Sequence, residues 1–399
     1  MYNSTNKSSL EADKMRHYVN PIIRKFELSA KSEIYVDKSN LIAKTNAVLD
    51  DEKRYICISR PRRFGKTMAA NMLAAYYGSE DASKLFNDLN IAKHPSYEKH
   101  LNKYNVIMVN MQSFLSRADS VEEMISDLGT KIMNELKKSH PDIEYSYEND
   151  FTYVLADVFF HTNTPFVILL DEWDCVLRSS KVSTDDHVTY LDFLRLLFKD
   201  QVYIGLAYMT GILPIKKYGD HSALNMFREY SMTEPSQFLD YFGFNETEVT
   251  ELASKYGMDM REMEKWCNGY FVDLGTPIYN PTSVSECLER KVFSNYWNKT
   301  ETYEALKDYI MLDFDGLKSK VAQMIAGNDT TVNPNKFKND MSTFNSADDV
   351  LTLLVHLGYL TYNFEKSTVR IPNEEVKGEF INSIEDLGDW STVVSAIQT

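Results

Sequence analysis

The tripeptide Gly65-Lys66-Thr67 has the residue types that bind the phosphates of a nucleotide. It follows an apolar run, residues 55–58, and a strand that leads through a turn into Gly-Lys-Thr at the start of a helix is typical of a phosphate-binding loop. In such loops the lysine reaches the β- and γ-phosphates, and the threonine hydroxyl ligates Mg²⁺. The spacing therefore predicts phosphate binding at Lys66 and a metal ligand at Thr67.

The loop departs from the usual pattern five residues before Gly65, where Arg60 stands in place of a glycine. Glycine is used there because it tolerates unusual backbone angles and lets the chain approach the ligand closely. Gly-Lys-Ser/Thr arises by chance in roughly one chain in seven of this length, so its meaning depends on its surroundings. Arg60, Arg62, Arg63 and Lys66 form a local basic patch, which we interpret as serving a bound nucleotide.

Two adjacent carboxylates, Asp171 and Glu172, follow a second apolar run at residues 166–170. Ligands of open α/β sheets bind beyond the carboxyl ends of the strands, so Asp171 could hold Mg²⁺ through its water shell and Glu172 could polarise an attacking water. The alternative is that the pair simply begins a solvated loop. Because Gly-Lys-Thr lies upstream, we favour the functional interpretation.

Thr210 ends another apolar run. Its hydroxyl could contact the γ-phosphate or the water, and a plain Thr-Gly turn is an equally good interpretation of this pair.

Apolar runs alternate with amphipathic stretches through residues 20–235. This alternation predicts an α/β fold with a parallel sheet and helices on both faces. We expect the loop strand and the acidic strand to be neighbouring elements. The predicted strands are residues 34–39, 55–58, 106–111, 166–172, 202–211 and 227–232, and the predicted helices include 66–77, 120–138 and 149–161.

The character of the chain changes after residue 235. Residues 236–330 are predicted as a mostly helical lid region, and residues 331–399 as a small C-terminal module. In that module a helix at residues 347–357 precedes two short strands with a turn at residues 365–367, as in a winged helix. A plain packing cap is the preferred alternative, since this segment has no basic face for a phosphate backbone.

Length and composition exclude several classes of protein. The chain has 399 residues, is 43% hydrophobic and carries a net charge of −15, which disfavours global disorder and the coating of nucleic acid. The four cysteines form no CxxC pair, which disfavours a zinc site and a disulfide framework. The N-terminus lacks the apolar core of a signal peptide, and no run reaches the length of a membrane span, so we expect a cytoplasmic protein without membrane contact.

An ordered set of short motifs extends over roughly residues 20–380. The motifs are Tyr35-Val36-Asp37-Lys38-Ser39, Arg60-Pro61-Arg62-Arg63-Phe64-Gly65-Lys66-Thr67, Asp171-Glu172-Trp173-Asp174, Thr210-Gly211, Tyr241-Phe242-Gly243-Phe244, Asn268-Gly269-Tyr270, Tyr279-Asn280-Pro281, Tyr296-Trp297 and Ile371-Pro372-Asn373-Glu374-Glu375-Val376. Together they resemble the bacterial AAA-ATPase-like family, which is often fused to a C-terminal PD-(D/E)XK nuclease-like domain. The loop of that family also lacks the first glycine. Trp173 and Cys267-Asn268 depart from its usual residues, and residues 380–399 contain no nuclease core, so we expect no nuclease activity.

The resemblance implies an AAA-like P-loop ATPase core at residues 20–235. Lys66 and Glu172 would be catalytic, Thr67 and Asp171 would hold Mg²⁺, and Thr210 would assist. Arg63 or its neighbour Arg62 would stabilise the transition state, within the chain or towards a neighbouring subunit; the alternative is that either arginine only forms a salt bridge within the fold. The Walker A loop, comprising Arg60, Pro61, Arg62, Arg63, Phe64, Gly65, Lys66 and Thr67, would bind the nucleotide, and Asp171-Glu172 would be the Walker B pair.

These observations support an ATPase that uses hydrolysis to switch the helical C-terminal region. ATP, rather than GTP, is implied by the resemblance alone. A non-hydrolysing, nucleotide-gated scaffold is the first alternative, and a nucleic-acid-associated partner of a separate nuclease is the second, which the net charge of −15 does not support. The sequence leaves open a homo-oligomer or a protein partner.

Overall fold

The structure is a computed structural model of the whole chain, and its elements divide into two compact units. It describes residues 17–215, 224–234, 238–272, 276–297, 303–312, 314–337 and 344–385. Among these, the first unit comprises residues 17–58, 66–211 and 224–229, and the second comprises residues 59–65, 212–215 and the described part of 230–385. No described helix is both long enough and apolar enough to cross a bilayer.

The first unit is built on a five-stranded sheet with the strand order β2-β3-β4-β1-β5. β3 runs parallel to both β2 and β4. All side chains of β1, β3 and β4 are buried; because side chains alternate between the two faces of a strand, both faces of the sheet are covered. The strands are β1 (Tyr55–Ser59), β2 (Asn105–Asn110), β3 (Phe166–Asp171), β4 (Ile204–Gly211) and β5 (Arg228–Tyr230). The predicted α/β fold is therefore confirmed.

Helices connect these strands, and the main ones begin where the sequence predicts. The helix after the loop spans Lys66–Tyr77. The next long helix spans Val121–Ser139, and the Ser120 hydroxyl caps it by accepting the Glu123 N–H. The Glu123 carboxylate accepts the N–H of Asp119. A full capping box would require it to accept the N–H of Ser120 instead. The other α-helices of this unit are Arg24–Ala30, Leu41–Asn46, Ser83–Phe86, Tyr97–His100, Met111–Leu115, Phe151–Thr162, Cys175–Arg178 and Thr184–Phe198.

Two expectations about the first unit are wrong. Residues 34–39 form no strand, because the Asp37 carboxylate accepts the N–H groups of Ser39 at 2.8 Å and Asn90 at 2.7 Å, and such side-chain bonds compete with strand pairing. The loop strand and the acidic strand are not neighbours in the sheet, since β4 lies between β1 and β3. This order brings the end of β4, rather than that of β1, beside the acidic residues.

The second unit is mostly helical, and its hairpin is confirmed. β9 (Thr361–Asn363) and β10 (Thr368–Arg370) pair antiparallel, and β8 (Thr330–Thr331) pairs with the other edge of β10. A separate hairpin joins β6 (Tyr270–Val272) to β7 (Thr276–Ile278). The α-helices are Glu246–Tyr256, Met260–Cys267, Pro281–Arg290, Tyr303–Met311, Leu317–Ile325, Ala347–Leu357 and Glu374–Glu385. Residues 386–399 of the predicted C-terminal module lie outside the described residues.

Three of the short motifs are joined by hydrogen bonds around one buried carboxylate of the second unit, Glu375, which is 1% exposed. Glu375 accepts the backbone N–H groups of Tyr296 at 2.5 Å and Trp297 at 2.7 Å, and the hydroxyl of Ser283 at 2.7 Å. The carbonyl of Tyr296 in turn accepts a hydrogen bond of 2.7 Å from Arg63 Nη1. Motifs far apart in sequence thus build a single hydrogen-bonded network, which includes a residue of the arginine-rich loop.

Replacement of Gly269 should destabilise the second unit. Its φ is +96°, and an added Cβ would overlap the backbone of Pro372, so Gly269→Ala should lower the free energy of unfolding by more than ~2 kcal/mol. Gly257→Ala is the matched control: its φ is +66° with no atom within 4 Å of the added carbon, and it should cost about 1 kcal/mol. Chemical denaturation measures both, and equal losses would contradict the packing described.

Candidate functional site

The ends of three adjacent strands in the first unit present a row of polar residues. Asn110 pairs in register with Asp171, and Asp171 pairs with Thr210. Thr210 Oγ1 donates to Asp171 Oδ1 at 2.5 Å, and Asn110 Nδ2 donates to Asp171 Oδ2 at 3.3 Å. The predicted acidic residue is therefore held at the carboxyl edge of the sheet, where ligands bind in folds of this class.

Thr67, the first of the two predicted metal ligands, lies directly against the second. Its Oγ1 donates a hydrogen bond of 2.7 Å to Asp171 Oδ2, although 104 positions separate the two residues. Asp171 itself is fully buried. The fold thus brings together the two oxygen-bearing groups that the sequence analysis assigns to Mg²⁺.

Lys66 begins the same helix as Thr67 and is 4% exposed. Burial lowers the pKa of its ammonium group, and nearby carboxylates, led by Glu172 and followed by Asp171 and Asp174, oppose that effect. A cation removed from water and surrounded by anions is well suited to meet a phosphate, since charge interactions strengthen where solvent is excluded.

Glu172 lies one residue beyond β3 and has a left-handed backbone with φ +55°. Its Oε2 accepts a hydrogen bond of 2.5 Å from Arg178 Nη2, and Arg178 Nε donates to Asp174 Oδ2 at 3.0 Å. Burial raises the pKa of Glu172, whereas Lys66 and Arg178 act to lower it. The predicted water-activating carboxylate is therefore held at the edge of the sheet by a buried ion-pair network.

A cleft of about 830 Å³ opens beside Thr67 and Asp171 in the first unit. Asn71 from the helix after the loop and Asn110 from β2 also line it, and Arg117 contributes a positive charge. Two members of the polar row, Asn110 and Asp171, thus line a space large enough for a small molecule, whereas Thr210 does not line it.

The backbone of the loop explains why Arg60 can replace a glycine. Arg63 has a left-handed backbone with φ +66°, whereas Arg60 is not one of the described residues with a positive φ. Gly65 has φ +87° and open space around its α-carbon. Left-handed backbone is therefore found at positions 63 and 65, of which only Gly65 is a glycine, and not at position 60.

The side chains of the loop have partners in the second unit, to which residues 59–65 belong. Arg60 is 1% exposed and its Nη1 donates to the carbonyl of Tyr230 at 3.2 Å. Phe64 packs edge-to-face on Tyr270, with ring centroids 5.2 Å apart. Arg63 donates to the carbonyl of Tyr296. The nucleotide-binding roles assigned to Arg60, Pro61, Arg62, Arg63 and Phe64 stay predictions.

Sequence reasoning missed three residues of the site: Asn110, Asp174 and Arg178. Asn110 ends β2, and the rule that ligands lie beyond strand ends would have selected it. Asp174 and Arg178 are four residues apart on one short helical turn, a spacing that predicts an ion pair. Their link to Glu172 depends on the turn after β3 and has no signal in the sequence.

Comparison with known proteins finds one family and an uncharacterised relative. A model of the predicted AAA-ATPase family matches residues 22–219. An uncharacterised protein of the vnfD 5′ region in Azotobacter chroococcum mcd 1 is 24% identical over 283 residues, which cover 69% of this chain and 52% of that protein. This chain therefore spans about half the length of that relative.

Two solved structures are similar over most of the chain. The Walker-type ATPase paby2304 of Pyrococcus abyssi is 13% identical, with 86% of this chain and 94% of that chain covered and a TM-score of 0.42. The AMPPCP-bound DnaA of Aquifex aeolicus is 11% identical, with 91% and 94% covered and a TM-score of 0.33.

The segment matched by the family model contains the whole candidate site. Lys66, Thr67, Asp171, Glu172 and Thr210 all lie between residues 22 and 219. The family match and the site geometry support nucleotide binding of the P-loop type. Through residues 22–219, the chain belongs to the predicted AAA-ATPase family.

Proposed function

We propose that this protein binds ATP together with Mg²⁺ and hydrolyses it at the site formed by Lys66, Thr67, Asp171, Glu172 and Thr210. The observation that carries the proposal is the 2.7 Å hydrogen bond between Thr67 Oγ1 and Asp171 Oδ2. It joins the end of the phosphate-binding loop to the acidic strand, which is the arrangement that nucleotide hydrolysis by P-loop proteins uses.

The residues present fit a magnesium ion. Thr67 and Asp171 offer a hydroxyl and a carboxylate, and hard oxygen ligands of this kind suit Mg²⁺, which keeps several waters when one or two protein groups hold it. Both groups face one another at the edge of the cleft. When bound, the metal would neutralise charge on the β- and γ-phosphate oxygens.

Each protein group then has a distinct task. Lys66 would bind the β- and γ-phosphates and stabilise the negative charge that develops on the transferred group. Glu172 would accept a proton from the attacking water, which places the water's oxygen towards the γ-phosphorus. Thr210, through its hydroxyl beside Asp171, would contact the γ-phosphate or that water. The products would be ADP and inorganic phosphate.

Loss of the Thr67 hydroxyl should reduce the gain in ATP affinity that Mg²⁺ provides. Thr67→Val keeps the side-chain shape but removes the metal ligand, so the gain in ATP affinity on adding Mg²⁺ should fall by about 10-fold or more. Thr67→Ser keeps the hydroxyl and is the matched control, for which we expect a gain close to that of the wild type. Titration calorimetry with and without Mg²⁺ measures this gain, and an unchanged gain in Thr67→Val would argue against the metal site.

We further propose that hydrolysis switches the helical C-terminal region. Support comes from the loop, because residues 59–65 pack within the second unit and continue directly into Lys66 along the chain. A loop that changes conformation with its nucleotide would therefore also change its own contacts, among them the bond from Arg63 to Tyr296. Hydrogen exchange of the second unit should differ between the ATP-bound and ADP-bound forms, and identical exchange would count against switching.

A further inference from the structure

The side chain of Arg178 lies beside the candidate site and is bound to two carboxylates. It is 9% exposed and makes two ion pairs, to Glu172 Oε2 at 2.5 Å and to Asp174 Oδ2 at 3.0 Å. Its two bonds use different nitrogens, Nη2 and Nε, so the plane of the guanidinium is fixed as well as its position. A fork-shaped donor held in this way orients whatever carboxylate it binds.

Asp174 anchors this arrangement. Its side chain is fully buried, and a buried carboxylate is costly unless a cation and hydrogen bonds compensate it. Arg178, four residues later on the same short helix, supplies that compensation. Asp174 therefore fixes Arg178, and Arg178 in turn fixes Glu172.

The backbone of Glu172 is held independently of its side chain. Trp173 N–H donates to the carbonyl of Thr210 at 3.0 Å, and the hydroxyl of Tyr190 donates to the carbonyl of Trp173 at 2.6 Å. With the turn fixed, Arg178 determines where the carboxylate lies. Among the residues that the structure describes, no donor is assigned to Oε1 of Glu172, in contrast to Oε2, so Oε1 is available to accept a proton from water.

We propose that Arg178 is a positioning residue for hydrolysis: it holds the carboxylate of Glu172 in place so that the carboxylate can activate the attacking water. The inference rests on the hydrolytic function proposed above. The opposite role, a latch that withdraws Glu172 from the site, predicts a higher kcat when Arg178 is removed, and the variants below distinguish the two roles.

The test is a set of variants measured for turnover and for ATP affinity. Arg178→Ala should lower kcat about 10-fold or more and leave the Kd for ATP within about threefold, because Arg178 is proposed to act through Glu172 and not on the nucleotide. Arg178→Lys keeps a cation and should recover part of the lost kcat. Arg290→Ala is the matched control, since Arg290 forms an exposed ion pair with Glu286 four residues away, and it should change neither constant.

A double-mutant cycle separates positioning from a general structural role. If Arg178 acts through Glu172, then Glu172→Gln combined with Arg178→Ala should turn over no more slowly than Glu172→Gln alone. The inference would be overturned if the kcat of the double variant fell by the product of the two single losses. It would also be overturned by an unchanged or higher kcat in Arg178→Ala, or by a Kd that rises as much as kcat falls. If Arg178→Ala does not fold, Arg178→Lys carries the same comparison, with a kcat below that of the wild type at unchanged Kd expected and an unchanged kcat overturning it.

Different experimental results would contradict this inference and the proposed function. Wild-type protein that releases no phosphate from ATP would overturn both. Wild-type turnover that persists unchanged in Arg178→Ala would overturn the role of Arg178 alone.

Discussion

Lys66→Ala should abolish ATP binding at concentrations where the wild type is saturated. The ammonium group is 4% exposed and lies among the carboxylates of Asp171, Glu172 and Asp174. Its removal leaves the phosphates of the nucleotide facing an excess of negative charge in a site poor in water. We expect the affinity to fall by about 100-fold or more, or ~3 kcal/mol, as measured by titration calorimetry.

Two further variants show whether the charge of Lys66 is the cause of the lost ATP affinity. Lys66→Met retains the length of the side chain without its charge, and it should lose binding to the same degree as Lys66→Ala. Lys44→Ala removes an exposed lysine of the first unit and should bind ATP normally. Equal affinity for ATP in the wild type and in Lys66→Ala would show that the phosphate-binding loop is wrongly assigned.

Glu172→Gln should bind ATP and fail to turn it over. The amide keeps the size of the side chain and can still meet Arg178 through its oxygen, but it cannot accept a proton from water. General base catalysis contributes about 10²- to 10⁴-fold, so kcat should fall by that range while the Kd for ATP stays within about threefold. Quenched-flow or coupled phosphate assays, together with calorimetry, measure the two constants.

The control for this prediction is Glu251→Gln, which changes an exposed glutamate of the helical region and should leave kcat unaltered. Turnover by Glu172→Gln at the wild-type rate would exclude Glu172 as the base. A parallel loss of ATP affinity would instead indicate that Glu172 contributes to binding.

Much of the first unit follows from short-range patterns in the sequence. β3 and β4 are continuous apolar runs, and the structure buries every one of their side chains, as strands covered on both faces require. The helix at Lys66–Tyr77 likewise begins at the end of the loop. These features depend on local residue types, which the sequence states directly.

The order of the strands does not follow from such patterns. β4 lies between β1 and β3, and the choice of neighbours depends on packing between segments that are far apart in the chain. For the same reason the hydrogen bond from Thr210 to Asp171 was not predicted from the Thr-Gly pair, for which contact with the γ-phosphate or the water and a plain turn were equal interpretations. This hydrogen bond depends on register across the sheet, which a single chain does not display.

The arginines of the loop show a second limit. Their charge suggests a bound nucleotide, and yet Arg60 is buried against Tyr230 and Arg63 donates to Tyr296. A cation can satisfy backbone carbonyls as well as phosphates, and residue type alone does not distinguish the two. Arg178 is the converse case, because its role depends on the left-handed turn at Glu172 and on no recognisable motif.

Phosphate release from ATP by purified wild-type protein, with Mg²⁺ and then with Mg²⁺ removed by a chelator, tests the central claim most directly. Lys66→Ala prepared in the same way sets the blank for contaminating ATPases. Binding and hydrolysis at the Thr67–Asp171 contact predict steady release that requires Mg²⁺ and exceeds the blank. Wild-type protein that binds ATP and releases phosphate no faster than Lys66→Ala would contradict hydrolysis and favour a nucleotide-gated scaffold.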